Sequence, residues 1–252
     1  TLLLTSGGVG NIIRPRLITF DVTGTLLMTK LEDYVEIGSQ HGLPLDRRKL
    51  ARSFKNSFHR LSLEHPVYGK HTGIGWENWW RQLVHSVFKD QHKYISDVAN
   101  SLIRCYGTSM CWHKYPGTIE LLDYLRKKEL ILGVISNFDE RLEAILEDTR
   151  IRSYFSFVLT SYDFGVEKPD TLIFDEALRL TKKRHSIDIS PQQAIHIGDS
   201  VNNDYIVFVS FYCYPQSFIL INTILFTNFY NNVFNKSLLF HISYLKKLKT
   251  TN

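Results

Sequence analysis

The sequence predicts an α/β protein: a doubly wound parallel sheet with a long helical stretch inserted after the first strand. Three observations predict this class. From Pro116 onward, short apolar segments of strand length alternate with amphipathic segments of helical length. One earlier apolar segment is separated from these by a long stretch with helical periodicity. The apolar segments repeatedly end on polar side chains, as expected where parallel strands meet a ligand.

The first strand is predicted within residues 17–20, a short apolar run that is typical of a buried parallel strand. It ends on the carboxylate of Asp21, and Gly24 permits the tight turn that follows. Ligands of open α/β sheets lie just outside the carboxyl ends of strands, so Asp21 is a candidate for chemistry. A strand followed by a polar turn is nevertheless common in this class, and Asp21 alone does not decide the matter.

Residues 28–115 are predicted to be helical and contain seven of the ten histidines. A basic face that runs from Arg47 to Lys55 could attract a phosphorylated substrate, but a solvated helix surface is the favoured interpretation. Trp76, Trp79 and Trp80 share one helical face, where core packing is favoured over a role in lining a substrate site.

Further strands are predicted at residues 131–135, 157–160 and 194–197, with helices between them. Ser136 and Asn137 follow the first of these strands, and Asp199 follows the last. This alternation implies right-handed crossovers and one parallel sheet. The polar strand ends, Asp21, Ser136 and Asp199, are therefore predicted to meet at one edge.

Bulk composition excludes some functions and partners. Although the net charge is +5, the residues after Asp204 contain four lysines and no acids, which leaves 26 basic and 25 acidic residues elsewhere. No nucleic-acid partner is therefore predicted. Cys105, Cys111 and Cys213 form no CxxC pair, so free thiols in a reducing compartment are predicted. The predicted location is the cytoplasm, with the nucleus and mitochondria left open.

The residue types at these positions suggest phosphoryl chemistry. If the sheet brings Asp21, Asp199 and Asp204 together, their mutual repulsion favours a bound cation, and oxygen ligands suit Mg²⁺. A carboxylate beside that ion can form an aspartyl-phosphate. Ser136 could donate to a phosphoryl oxygen, and Lys168 could keep the nucleophile ionised, although serines and lysines alone are weak signals.

The four segments in this order resemble the motifs of the haloacid dehalogenase superfamily. The segments are DVTGT at 21–25, SN at 136–137, KPD at 168–170 and GDSVNND at 198–204. The insertion between the first two motifs resembles the helical cap of subfamily I. Three further segments, ISNFDERLEAIL, FVLTS and IFDEALRL, resemble one subgroup of that superfamily.

The resemblance implies a Rossmann-like core at residues 16–27 and 116–205 and a cap at residues 28–115 that closes over the cleft and selects the substrate. It implies Mg²⁺ as cofactor and a small phosphorylated substrate, and it makes no prediction of oligomeric state. The implied catalytic residues are Asp21, Thr23, Ser136 and Lys168. The implied substrate-binding residues are Ser136 and Asn137. The implied metal ligands are Asp21, the main-chain carbonyl of Thr23, Asp199 and Asp204, one of the last two through water.

Thr23 departs from the family's phosphatase pattern, which has a second aspartate two residues after the nucleophile. That aspartate protonates the leaving group and then activates water, and its loss costs roughly 10²–10⁴-fold in rate. P-type ATPases also have Thr there, whereas dehalogenases have an aromatic residue and lack the acidic fourth motif. We therefore expect a slow phosphatase or phosphotransferase; the alternative is a catalytically impaired binding or regulatory protein.

The ends of the chain are also unusual. Residues 1–15 are expected to be a disordered lead-in, and residues 206–252 an atypical apolar tail. No charged side chain occurs at 205–235. The run is long enough to span a membrane, but Pro215 and scattered amides disfavour an anchor, so no membrane association is predicted. The run could instead supply divergent edge elements of the sheet, or be a non-native end such as translated intron, which is the favoured interpretation.

Overall fold

A parallel sheet forms the centre of the computed structural model, which describes residues 14–43, 46–89, 93–205 and 218–220. The strands are β1 Leu17–Phe20, β2 Leu27–Met28, β3 His113–Lys114, β4 Ile131–Ser136, β5 Phe157–Thr160, β6 Ala194–Gly198 and β7 Phe218–Leu220. The helices are α1 Leu31–Gln40, α2 Arg47–Glu64, α3 Gly75–Phe88, α4 Ile95–Cys105, α5 Thr118–Lys127, α6 Leu142–Asp148, α7 Ser161–Phe164 and α8 Thr171–His185.

The strand order of the sheet is β5-β4-β1-β6-β7, and all neighbours are parallel. β1 lies between β4 and β6, so that Phe20 is in register with Val134 on one side and Ile197 on the other. From β1 the chain continues to β4 and β5 on one side of β1 and then crosses to β6 on the other side. This change of direction opens a crevice at the carboxyl ends of β4, β1 and β6. The predicted α/β class and the four predicted strands are confirmed.

Helices cover both faces of the sheet, as the alternation of side chains along a strand requires. Ile18 and Phe20 of β1 pack in one apolar cluster with the buried faces of α5 and α6. Leu17 points to the opposite face and packs in a second cluster with α8. Because both faces are buried, the strands are almost continuously apolar, which is why they were recognisable in the sequence.

A small antiparallel pair, β2 with β3, was not predicted. Leu27 is in register with Lys114, so the pair joins the two ends of the chain segment that holds α1 to α4. Two-residue strands carry no periodic signal, which explains why the sequence did not reveal them. The pair lies beside the limits of the predicted cap, whose boundaries stay a prediction.

The helices α1 to α4, hereafter the helical segment, have an apolar cluster of their own. Leu83, Val98 and Leu102 are buried at its centre. Trp79 is also fully buried there, as predicted, whereas Trp76 and Trp80 are only partly buried and point their ring nitrogens toward the loop after β4. The basic residues of α2 from Arg47 to Lys55 lie on the exposed side of the helix.

The prediction of three free thiols is wrong for two of them. Cys105 at the end of α4 and Cys111 in the following 3₁₀ turn form a disulfide, with their Cα atoms 5.7 Å apart. The chain reverses direction between α4 and β3, which brings together two cysteines six residues apart. The sequence did not indicate this pairing because the spacing matches no redox or metal motif.

Residues 1–13 and nearly all of the apolar tail lie outside the described residues. Of the tail, Phe218–Leu220 is described: it pairs parallel with β6 and adds an edge strand to the sheet. For these three residues, the structure agrees with the interpretation in which the tail supplies edge elements of the sheet. Within the described ranges, no helix has the length and apolar character needed to cross a membrane.

The disulfide can be tested by differential alkylation of the full chain. Unfolding in denaturant with excess N-ethylmaleimide and no reductant should leave Cys105 and Cys111 unlabelled, and both should be labelled after reduction, as read by peptide mass spectrometry. In the Cys105→Ser variant, Cys111 should be labelled without reductant because its partner is gone. Labelling of both cysteines in the unreduced native chain would contradict the pairing.

Candidate active site

The candidate active site lies at the carboxyl ends of β1, β4 and β6. Ser136 Oγ, at the end of β4, donates a hydrogen bond of 2.9 Å to Oδ1 of Asp21. Lys168 Nζ donates to the same oxygen at 2.9 Å and to Oδ1 of Asp204 at 2.7 Å. The predicted meeting of these residues at one edge of the sheet is therefore present.

The two carboxylate oxygens of Asp21 differ: Oδ1 is fixed by hydrogen bonds, and Oδ2 is available to react. It is 8% exposed, and both side-chain bonds that it accepts go to Oδ1. Among the described residues, Oδ2 accepts no hydrogen bond. A carboxylate held in this way is oriented by its neighbours while an oxygen remains available to attack an electrophile.

Lys168 is buried and charged. Burial lowers the pKa of its amine, but the attraction of Asp21 and Asp204 outweighs burial, and the pKa lies above its ordinary value. Lys168 therefore neutralises one of the carboxylate charges of the site. Its main chain is also fixed: Asn137 Nδ2 donates to the carbonyl of Lys168 at 2.7 Å, and Asn137 Oδ1 accepts from its N–H at 2.7 Å.

These contacts give the Asn137 side chain a positioning role. Both ends of its side-chain amide are bonded to the main chain of Lys168, so this side chain positions the lysine. The predicted contact between Asn137 and substrate stays a prediction. Thr23 is exposed at the wall of the same cavity as Asp21, in the turn after β1.

The turn after β1 is built to approach Asp199. Gly24 has φ of +81°, a conformation that side chains rarely adopt, and a Cβ at this position would overlap Oδ2 of Asp199. Gly198 is equally restricted, since its Cβ would overlap the carboxyl group of Asp204. Gly24 thus allows the acidic loop after β6 to lie against the loop that carries the nucleophile candidate, and Gly198 allows Asp204 to lie against the end of β6.

Asp199 carries the unbalanced charge of the site. Burial of its carboxyl group, followed by repulsion from Asp21 and Asp204, raises its pKa to about 6. Three carboxylates face one ammonium group, that of Lys168, so the site is short of positive charge at neutral pH. This donor set of hard oxygen atoms fits a divalent cation such as Mg²⁺.

The predicted metal ligands are not already gathered into a complete set. In the described part of the chain, no group of three or more His, Cys, Asp or Glu side chains is arranged to hold a metal ion. Asp204 uses its oxygens elsewhere: besides Lys168, it accepts from His196 Nε2 at 3.1 Å and from the N–H of Ser200 at 2.9 Å. A contact between Asp204 and the ion through water agrees with this geometry.

His196 is a site residue that sequence reasoning missed. It lies in β6, fully buried, in register with Thr19 of β1, whose hydroxyl is 2.9 Å from His196 Nδ1. Burial lowers the pKa of the imidazole, so the ring is neutral, donates from Nε2 to Asp204 and accepts from Thr19 at Nδ1. The hydrogen bond from His196 and the charge of Lys168 overcome the effect of burial and lower the pKa of Asp204. The sequence did contain a signal for this contact: Thr19 and His196 are polar residues inside two otherwise apolar strands.

A strained segment brings the helical segment onto the site. Val67 and Tyr68, between α2 and α3, have φ of 51° and 52°, in the left-handed region that β-branched and bulky residues avoid. Tyr68 Oη donates to the main-chain carbonyl of Asn137 at 2.8 Å. Such strain costs about 1–3 kcal/mol per residue and is retained where the surroundings enforce it. Nothing in the sequence predicted the left-handed backbone conformation of Tyr68.

A buried ion pair makes the second connection. Asp139, fully buried after β4, accepts from Arg141 Nη2 at 2.7 Å and from the ring N–H of Trp80 in α3 at 2.7 Å. The Arg141 guanidinium lies 4.5 Å from the ring centre of Trp76. The aromatic face predicted on α3 therefore has two tasks, core packing through Trp79 and attachment to the sheet through Trp76 and Trp80.

Comparison with known proteins agrees with this geometry. Residues 15–210 match the model of a haloacid dehalogenase-like hydrolase. The chain belongs to the haloacid dehalogenase-like hydrolase family. It is 38% identical over 210 residues to the rhythmically expressed gene 2 protein of Drosophila melanogaster, which covers 78% of this chain and 80% of the relative.

The predicted subgroup is confirmed as well. The chain is 36% identical over 197 residues to haloacid dehalogenase-like hydrolase domain-containing protein 3 of Bos taurus, covering 75% of this chain and 76% of the relative. Among solved structures, it resembles the magnesium-bound form of the HAD-hydrolase YfnB from Bacillus subtilis. That likeness has a TM-score of 0.58 at 16% identity and covers 77% of this chain and 84% of the other, which shows a shared fold.

The charge on Asp199 should appear in the pH dependence of stability. With divalent metals chelated, the folded carboxyl group has a pKa of about 6, above its unfolded value of about 3.9. The folded chain binds the extra proton between these values, so the free energy of unfolding should fall as pH rises from about 4 to about 6. Asp199→Asn should remove about 1 kcal/mol of this fall, after allowance for solvent screening.

Urea unfolding at each pH measures this difference. Asp188→Asn, which alters a carboxylate that is exposed on the surface, is the matched control and should keep the slope of the native chain. Identical slopes for the native chain and Asp199→Asn would show that this carboxyl group carries no unbalanced charge.

Proposed function

We propose that the protein is a slow, magnesium-dependent phosphatase or phosphotransferase that acts on a small phosphorylated metabolite through an aspartyl-phosphate. The observation that carries this proposal is the geometry of Asp21, whose Oδ1 is fixed by Ser136 and Lys168 while Oδ2 is available. Family membership supports hydrolysis in general, and the donor groups around Asp21 favour phosphoryl transfer in particular.

Asp21, Asp199 and the main-chain carbonyl of Thr23 would hold the ion directly, with Asp204 acting through water. When bound, Mg²⁺ supplies positive charge that offsets the phosphoryl oxygens and the carboxylates. The shortage of positive charge around Asp199 is the observation that this assignment explains.

The residues of the chain can perform transfer in two steps. Asp21 Oδ2 attacks phosphorus as the bond to the leaving alcohol breaks, and an aspartyl-phosphate forms. Lys168 donates to Asp21 and Asp204, and the third proton of its ammonium group can go to a phosphoryl oxygen. The single proton of the Ser136 hydroxyl can reach a phosphoryl oxygen only by leaving Oδ1 of Asp21. Water then attacks the phosphorus, which returns the free carboxylate and releases phosphate. The helical segment, proposed as the cap, limits access of bulk water to the cleft.

Thr23 explains why the proposed reaction is slow. A threonine hydroxyl cannot serve as a carboxylic acid toward the leaving alcohol or as a carboxylate base toward water. The leaving group must take its proton from solvent, and the aspartyl-phosphate persists longer. A phosphotransferase benefits from this persistence, because another acceptor can compete with water.

Removal of the nucleophile or the metal should abolish activity. Asp21→Asn and treatment with a chelator should each eliminate phosphate release from p-nitrophenyl phosphate, and added Mg²⁺ should restore only the chelated native chain. If Asp21→Asn and the native chain release phosphate at equal rates, the proposed mechanism is wrong.

Restoring the missing carboxylate should accelerate turnover. Thr23→Asp should raise kcat by roughly 10²-fold or more, since it supplies an acid and base next to Asp21. Thr29→Asp adds the same charge elsewhere on the cavity wall and is the matched control, with no increase expected. Equal effects of both substitutions would assign the change to charge alone.

A binding or regulatory protein is the second candidate, and Thr23 is the observation that favours it. The two functions differ in covalent chemistry. Incubation with a labelled acyl or aryl phosphate followed by an acid quench should leave an acid-stable, alkali-labile label on Asp21 in an enzyme. A binding protein should bind the ligand reversibly and remain unlabelled.

A further inference from the structure

A cavity of about 900 Å³ extends from the candidate active site into the helical segment. Its polar end contains Asp21, Ser136, Lys168 and Asp199, which suffice for a phosphoryl group. The remainder is far larger than a phosphoryl group needs and lies in the size range of sites for drug-sized organic ligands. This larger part of the cavity therefore has room for the part of a ligand that is not transferred.

Aromatic side chains are prominent on the wall beyond the polar end, and this part of the cavity is hereafter the aromatic chamber. Its principal rings are Tyr34, Phe54, Phe58, Trp79, Trp80 and Tyr106. They contact one another in edge and stacked arrangements: the ring centres are 5.5 Å apart for Tyr34 and Phe54, and 5.2 Å apart for Phe58 and Trp79. These contacts fix the orientation of ring faces and edges along the chamber.

We infer that the alcohol part of the substrate is a neutral, predominantly apolar ring system that packs among the side chains of the aromatic chamber. This inference rests on the proposed phosphoryl transfer and adds the class of leaving group. Planar rings can pack edge-on or face-on against such walls, and burying their apolar surface supplies the binding free energy.

The buried charges of the chamber wall do not favour an acidic leaving group. Arg141, on the wall, is bound through two nitrogens to Asp139. Lys30 and Lys55 are exposed at the margin. Glu167 adds a carboxyl group whose pKa is raised by burial. Among the described wall residues, no buried cation beyond the polar end is free to bind a second phosphate or a carboxylate.

The chamber is also poorly suited to a sugar or polyol. The Tyr68 hydroxyl already donates to Asn137. His59 and Ser62 of α2 also line the cavity, but they are too few to pair with every hydroxyl group of a sugar or polyol. The hydroxyl groups left without partners would be unfavourable, whereas an apolar ring has none.

Turnover of two phosphomonoesters tests the inference on the full chain. The value of kcat/KM should be about 100-fold higher for 2-(1-naphthyl)ethyl phosphate than for glycerol 1-phosphate, because both leaving groups are alkyl alcohols and only the naphthyl group fills the aromatic chamber. Equal values for the two substrates would overturn the inference even though both are hydrolysed.

Ring-to-aliphatic substitutions locate the effect. Phe54→Leu and Phe58→Leu should each raise KM for 2-(1-naphthyl)ethyl phosphate about 5- to 10-fold and leave kcat nearly unchanged, because they remove ring contacts without touching Asp21. Phe164→Leu is the matched control: this ring packs against the cluster below α8, outside the chamber, and its loss should not alter KM. If all three variants behave alike, the chamber does not select the substrate.

A binding measurement separates this inference from the proposed function. 1-Naphthol, which has no phosphate, should quench the tryptophan fluorescence of the Asp21→Asn variant with saturation at one ligand per chain, and more weakly after Phe58→Leu. Saturable binding without turnover of any phosphomonoester would support the chamber and reject the proposed function. Turnover without 1-naphthol binding would reject the chamber alone, and the absence of both would reject the two proposals together.

Discussion

The ammonium group of Lys168, held between Asp21 and Asp204, is the interaction on which the site depends. Both carboxylates follow strands that lie side by side, and their repulsion would separate the loops without a cation between them. Burying such charges costs several kcal/mol per ion, so the pairing adds little net stability. Its consequence is geometric: it fixes one oxygen of Asp21 and leaves the other accessible.

Several surrounding features serve to hold Lys168 in place. Asn137 binds its main chain at two points, and His196 orients Asp204 from below with support from Thr19. Each of these groups is buried and bonded, so the loss of one would leave a polar atom without a partner. The polar strand ends and the polar residues inside the strands thus form one connected network that spans the sheet.

The helical segment is attached to this network rather than merely placed above it. Tyr68 reaches the main chain of Asn137, which itself positions Lys168, and Trp80 reaches the buried Asp139 in the same loop. Two hydrogen bonds thus hold the helical segment, and with it the aromatic chamber, against the loop that follows β4.

The sequence by itself determined the α/β class, four strands within a residue of their bounds, and the meeting of Asp21, Ser136, Lys168 and Asp199. These features depend on local apolar patterns and on the rule that parallel strands end at a common edge. Tertiary structure alone decided the position of His196 behind Asp204, the task of Asn137, the Cys105–Cys111 disulfide and the aromatic chamber. Each depends on contacts made when distant or reversing segments fold together, and periodicity within one segment carries no information about them.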